Sequence, residues 1–210
     1  MTKTKKIPTL ITIGFLCFSA FLIFAPQAKA TSPPPVGYWK FDEGSGTVAS
    51  DSSGNGNTGT LTNGPTWVNG KYGEALSFDG VDDYVRVEDS SSLHFSTSVT
   101  LMVWIFLPSS ATYSGDNYII GKQASNGGTN LDLGIHDNIG HVTFGLGIGG
   151  GWTAQALIST GAVPRDTWTH IAATYDGSLM KIYINEILDS SLSWTSGFSS
   201  NTNPLTIGSK

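Results

Sequence analysis

Between Thr167 and Ser190 the chain alternates as a β-meander does, with its turns in place. Trp168, His170, Ala172 and Thr174 fall on one face of an extended segment, and Ile171, Ala173 and Tyr175 on the other. Asp176-Gly177 then supplies a tight-turn dipeptide. Leu179 to Ile184 is the return strand, with Ile182 and Ile184 on one face and Lys181 and Tyr183 opposite. Asn185-Glu186 marks a second turn into Ile187-Leu188. A meander with one apolar face is not stable alone and must pack on a second sheet.

The rest of the chain follows the same strand and turn pattern. Strands are predicted near Val36–Phe41, Gly59–Thr62, Glu74–Phe78, Tyr84–Val87, Val99–Leu107, Tyr118–Lys122, Leu131–His136, His141–Leu146, Thr153–Ile158, Trp168–Tyr175, Leu179–Asn185 and Leu205–Ile207. After the first thirty residues no stretch has sustained helical periodicity with caps, and no internal repeat is visible. Short strands separated by Gly, Ser, Thr and Asn predict an all-β antiparallel sandwich. Val99 to Leu107 is apolar on both faces, which predicts a central strand whose outer face is covered or meets a bound loop.

Residues 1–30 stand apart. Lys3, Lys5 and Lys6 precede an apolar run from Leu10 to Phe24, followed by Ala28-Lys29-Ala30, the pattern of a secretory signal peptide with small residues at the cleavage positions. The run is short of the ~20 apolar residues of a spanning helix. Export to the extracellular space or cell surface is expected, with no membrane attachment after cleavage. Cys17, the one cysteine, lies inside that run, and Phe15-Leu16 is not the small-residue context of a lipidated cysteine. The mature chain would have no disulfide. Thr31 to Pro35 forms a short Pro-rich spacer, and residues 36–210 suffice for one domain.

Four of the eleven basic residues belong to the leader, so seven face sixteen acidic residues in the remainder, a formal charge of −9. Nucleic acid is a poor partner for such a surface.

Four segments taken together, in order, are similar to the laminin-G-like jelly-roll family of the concanavalin A-like lectin and glucanase fold. They are Gly37 to Gly46 (GYWKFDEGSG), Asp51 to Gly59 (DSSGNGNTG), Ala75 to Val85 (ALSFDGVDDYV) and the Trp168 to Leu188 meander. Two departures from the family pattern stand out. Where that pattern has Asn-Gly at the second meander turn, this chain has Asn185-Glu186, and a glutamate is disfavoured at the positive φ of a type I′ turn. Another turn type, or a strained one, is expected. The resemblance also implies a closing strand after Leu205–Ile207, paired with Val36–Phe41. The chain ends at Lys210, so the domain is expected to be C-terminally truncated, with the backbone edge of Val36–Phe41 facing solvent.

Asp51, Ser53 and Asn55 alternate as oxygen donors, Gly56 permits a sharp turn, and the Asn57 carbonyl can point inward, which reproduces the first half of an EF-hand loop. Thr62 stands where the bidentate glutamate would be, so other oxygens must complete a cage, with Asp42 and Glu43 nearest to hand. A hydrogen-bonded Asx turn explains the same residues. The resemblance favours a structural calcium ion held by Asp42, Asp51, Ser53, Asn55 and Asn57. Asp79, Asp82 and Asp83 read as a Gly-containing hairpin loop.

Catalysis is not expected. Glycosidases of this fold resemble one another in a Glu-x-Asp-x-Glu strand, and none exists here; Glu43, Glu74, Glu88 and Glu186 sit in turns or at strand ends. The four histidines, His94, His136, His141 and His170, lack the spacing and companions of a zinc site, and no nucleophile elbow or phosphate loop is present. Trp39, Trp104 and Trp168 lie in strands and are expected in the core. Trp152, Trp194 and Tyr113 lie in Gly/Ser-rich loops and are the candidates for stacking on sugar rings. The expected function is a secreted, non-catalytic recognition module for carbohydrate or glycoprotein. The alternatives are an adhesive module of a larger surface protein or an accessory domain of a glycan-degrading enzyme.

Overall fold

The computed structural model describes residues 33–112, 117–123, 129–148 and 153–209. Residues 1–32, Cys17 among them, and also Tyr113 and Trp152 lie outside them. Fourteen strands follow in order: β1 (Val48–Ala49), β2 (Gly59–Thr62), β3 (Thr66–Asn69), β4 (Glu74–Ser77), β5 (Tyr84–Val87), β6 (Val99–Phe106), β7 (Asn117–Gln123), β8 (Thr129–Ile135), β9 (His141–Gly147), β10 (Thr153–Ala162), β11 (Trp168–Tyr175), β12 (Leu179–Ile184), β13 (Ile187–Ser193) and β14 (Leu205–Ile207). A single 3-10 turn, Ser91–Leu93, interrupts them.

All strand pairings are antiparallel. An eight-stranded sheet has the order β1-β2-β5-β14-β7-β8-β9-β10, a four-stranded sheet the order β13-β12-β11-β6, and β3 pairs with β4 alone. The sandwich core follows from alternation. Along β11 the residues Thr169, Ile171, Ala173 and Tyr175 are buried while Trp168, His170, Ala172 and Thr174 face outward. Ile171, Ala173, Met180 and Ile182 of the small sheet meet Leu131, Leu133, Val142, Phe144 and Leu146 of the large one. A second cluster, Ala49, Val85, Val87, Leu93, Leu205 and Ile207, lies under β2, β5 and β14 and is covered by Trp39, Phe41, Leu76 and Phe78. Phe95 and Ile120 pack against both clusters.

Several expectations need correction. Val36–Phe41 is not a strand: its one ladder contact is an isolated bridge from Trp39 to Asp51, and Phe41 turns left-handed with φ 58°, which ends any extended run. Its backbone is nonetheless engaged, since the Tyr38 amide donates to Asp51 Oδ1 and the Tyr38 carbonyl accepts from the Ser52 amide. Strands β1, β3 and β13 are longer or additional to those read from sequence. Asp79–Asp83 does not close a hairpin, because β4 pairs with β3 whereas β5 pairs with β2 and β14; the segment crosses between sheets. Trp104 and Trp168 are not core residues. Trp104 is 38% exposed and Trp168 half-buried, because both sit on the outward face of their strands.

The Asn185-Glu186 turn keeps positive φ at both positions, 49° and 69°, so the geometry is the one glycine would favour and the glutamate is strained. Asn185 is held by its side-chain oxygen accepting from the His170 amide. Glu186→Gly is therefore expected to raise stability by about 1 kcal/mol, the rough cost of the left-handed conformation for a residue with a Cβ. A urea melt reads it, and a loss of stability would contradict the strain.

Candidate functional site

Two surfaces present chemistry, and the Asp51 loop a third arrangement. The loop is built around one carboxylate. Asp51 Oδ1 accepts from the Tyr38 and Ser53 amides at 3.0 and 2.8 Å, and Oδ2 from the Ser53 hydroxyl and the Asn57 amide, both at 2.8 Å. Burial alone would raise the Asp51 pKa; the donations from Ser53, Tyr38 and Asn57 outweigh it and hold the carboxyl below its ordinary range. The Asn57 carbonyl accepts from Trp39 Nε1 at 2.7 Å, and the Ser53, Asn55 and Asn57 side chains converge on the Val36 carbonyl. Asp42 lies apart from them, with its carboxylate on the Glu74 amide. Both Asp51 carboxylate oxygens accept from protein donors, and Asp42 is directed to another loop.

The Asp79, Asp82 and Asp83 carboxylates lie within 4.8 Å of one another. Asp79 Oδ1 accepts from the amides of Val81, Asp82 and Asp83, and the Val81 donation leads in holding its pKa down. The group is an Asx-type turn.

The first surface is a shallow recess of about 290 Å³ on the outer face of the large sheet, lined by Asn63, Val81, Asp82, Tyr84, Arg86, Thr206 and Ser209. Its origin is simple alternation. In Tyr84-Val85-Arg86-Val87 the two valines enter the second cluster, so Tyr84 and Arg86 must face out. Arg86 stands opposite Thr206 in the ladder. Its Nε and Nη2 bind the Glu88 carboxylate at 2.7 and 3.3 Å, which raises the Arg86 pKa and lowers that of Glu88. Nη1 has no partner among the described residues. Thr206 Oγ1 meets Ser209 Oγ at 3.0 Å, and the Asn63 amide donates to the Asp82 carbonyl. The ladder row continues from Thr206 through Gly121, Asp132 and Gly145. A Cβ at Gly145 would fall 2.2 Å from the buried Asp132 carboxylate, so that side chain occupies the space over Gly145. An aromatic ring, a fixed guanidinium, a carboxylate and two hydroxyls around an open dish suit a ligand rich in hydroxyl groups. Nothing in it forms a nucleophile and base pair.

The second surface is the outer face of β6 and β11. Met102, Trp104 and Phe106 are exposed, and Phe106 and Trp104 stand opposite Trp168 and His170. The Trp104 and His170 rings lie 5.3 Å apart and those of Phe106 and Trp168 5.7 Å. Tyr72, at the tip of the β3-β4 hairpin, meets Trp104 edge-on at 5.9 Å, and Lys71 Nζ lies 5.3 Å over the Trp104 ring. Among the described residues β6 lies at the end of its sheet and not at the centre as its two apolar faces predicted, and Tyr72 and Lys71 meet only part of its outer face.

Of the sugar-stacking candidates, Tyr113 and Trp152 lie outside the described residues. Trp194 is tied down: its Nε1 donates to the Gly197 carbonyl at 2.7 Å and its ring packs against the main core. Sequence reasoning missed Tyr84 and Arg86, although their alternation with two valines was the available signal. Among the glutamates considered for catalysis, Glu43 accepts from the Ser50 amide and Glu88 pairs with Arg86. The histidines are likewise dispersed, His94 on Asp89 and His141 on Asp137.

Residues 78–210 match a family model described as the concanavalin A-like lectin/glucanases superfamily, Laminin_G_3. No curated protein matches the chain. Among solved structures, the binding domain of Paraclostridial Mosquitocidal Protein 1 aligns with a TM-score of 0.67 and 16% identity over 83% of this chain and 43% of that one. Domain 4 of AbnA, a GH43 extracellular arabinanase from Geobacillus stearothermophilus solved with arabinotriose, aligns at 0.57 and 20% over 77% and 78%. The binding domain of botulinum neurotoxin serotype G aligns at 0.59 and 15% over 75% and 40%. This chain thus spans less than half of either toxin binding domain, and at these identities the likeness is one of fold.

Proposed function

This chain belongs to the concanavalin A-like lectin/glucanases superfamily, and from that premise we propose that it is an exported, non-catalytic recognition module whose ligand is a carbohydrate, free or on a glycoprotein. The observation that carries the reading is the recess around Tyr84, Arg86 and Thr206. Tyr84 offers a ring face to the C–H surface of a sugar, and Arg86 Nη1, Asp82 and the Thr206 and Ser209 hydroxyls can exchange hydrogen bonds with its hydroxyls. The acidic surface argues for a neutral glycan over an anionic one. The leader-like segment supports export, and the resemblance to an arabinanase domain solved with arabinotriose supports this ligand class. That same resemblance favours a second reading, an accessory domain serving a glycan-degrading enzyme.

A glycan array that includes arabinotriose, followed by titration calorimetry, tests the proposal. Wild type should bind a neutral oligosaccharide, and Tyr84→Ala should weaken it about tenfold or more, the loss expected for an aromatic anchor. Equal binding by Tyr84→Ala would move the site elsewhere. Failure to bind any glycan would end the carbohydrate reading.

A further inference from the structure

From Asp82 to Glu88 the chain alternates strictly: Asp83, Val85 and Val87 are buried, and Asp82, Tyr84, Arg86 and Glu88 form one outward row. β5 carries this row between β2 and β14, so both of its edges are paired. In the ladder Arg86 stands between Thr60 of β2 and Thr206 of β14, whose side chains are hydroxyls without charge. Its charge partner comes from its own row. Glu88, two residues on, takes the Nε and Nη2 edge of the guanidinium through both carboxylate oxygens, at 2.7 and 3.3 Å. A two-pronged pair of this kind orients the guanidinium as well as neutralising it, which separates it from an ordinary exposed ion pair. Arg86 is the one cation among the residues that line the recess. The other charged group there is Asp82, and its carboxylate lies within 4.8 Å of those of Asp79 and Asp83. Among the described residues no cation pairs with any of the three.

We propose that Glu88, which does not itself line the recess, sets its specificity: by occupying Arg86 it makes the site select uncharged sugars against carboxylated ones, the uronates. The inference rests on the glycan reading and adds to it the residue that decides the charge of the ligand. An uncharged sugar needs only what Glu88 leaves, the Nη1 donor, whose hydrogens can meet a hydroxyl. A uronate needs the edge that is taken. To gain two parallel bonds its carboxylate would have to displace Glu88 from Nε and Nη2, leaving Glu88 without its partner in a neighbourhood already rich in carboxylates. With the Glu88 charge removed the same fork is open, and a guanidinium is the side-chain group best shaped for a carboxylate.

Methyl galactoside and methyl galacturonate, identical but for a carboxylate in place of a hydroxymethyl group, test this alongside arabinotriose in titrations at low salt. Glu88→Gln should bind the galacturonate about tenfold or more tighter than wild type does, with no matching gain for the galactoside or arabinotriose. The gain should shrink as salt is raised and should vanish in Glu88→Gln/Arg86→Gln. The Glu88 side chain is 75% exposed, so its substitution leaves the core intact. Galacturonate binding by Glu88→Gln no tighter than by wild type would overturn the inference, as would a gain that survives the loss of Arg86 or a wild type that already prefers the galacturonate. In each of those cases arabinotriose or galactoside binding that Tyr84→Ala weakens would leave the glycan reading standing. Absence of binding to all three sugars by wild type and Glu88→Gln alike would end both.

Discussion

Asp89→Asn should lower stability by about 3 kcal/mol at neutral pH, the low end of what removing one partner of a buried ion pair costs, since Asp89 itself keeps some solvent contact. Lys122 is 3% exposed and its Nζ sits 2.6 Å from Asp89 Oδ1. Without the carboxylate a buried ammonium is left with no ion-pair partner among the described residues, and that dominates the loss. The donation from Lys122 leads, against burial and with His94 assisting, in holding the Asp89 carboxyl below its ordinary range. A depressed carboxylate pKa contributes stability above the unfolded value near 4, and the contribution fades as pH falls through the folded one. The wild-type protein should therefore lose stability below about pH 4 more steeply than Asp89→Asn. Removing both charges in Asp89→Asn/Lys122→Met should recover part of the single-mutant loss. Urea unfolding at pH 7 and pH 3.5 reads all three; a loss under about 1 kcal/mol for the single variant would show that Lys122 finds other compensation.

Asp51→Ala should cost about 3 kcal/mol, which for a domain of this size is a fall of roughly 6–12 °C in melting temperature. Four donors converge on this one carboxylate, and charge-assisted bonds are worth roughly 1.5–3 kcal/mol each and are far from additive. The stabilising form is again the ionised one, so this contribution too is present above pH 4 and lost in acid. Because protein donors occupy the loop oxygens, the wild-type melt should be the same with excess chelator as with calcium. A chelator-dependent fall that Asp51→Ala abolishes would instead establish a cation in the loop.

Much of the fold was legible because alternation is a local property. β2, β5, β11 and β14 occupy the spans read from sequence, since each alternates an inward apolar row with an outward one within three to eight residues. Val36–Phe41 was misread for the opposite reason: its residues suit a strand, but no neighbouring backbone pairs with them beyond one bridge, and the left-handed Phe41 stops the run. Asp79–Asp83 resembled a hairpin because two strands flank it. Whether flanking strands pair with each other is a long-range matter, and here each found a partner elsewhere.

The candidate site was less legible still. Asp51 could be picked out from spacing, but whether its oxygens face a cation or protein amides depends on where Tyr38 and Asn57 come to lie. Tyr84 and Arg86 look like ordinary strand residues until β14 brings Thr206 alongside them from 120 positions later in the chain.

What the sequence determined by itself is the β-sandwich and its family, because hydrophobic period, turn dipeptides and ordered motifs are local and survive without knowledge of neighbours. Only the tertiary structure decided which faces stayed open. Trp104 and Trp168 passed from expected core to surface, the Lys122–Asp89 pair formed across 33 positions, and β6 was left at the end of its sheet. Exposure and pairing depend on which distant element arrives, and that is fixed by how the two sheets stack over a shared core.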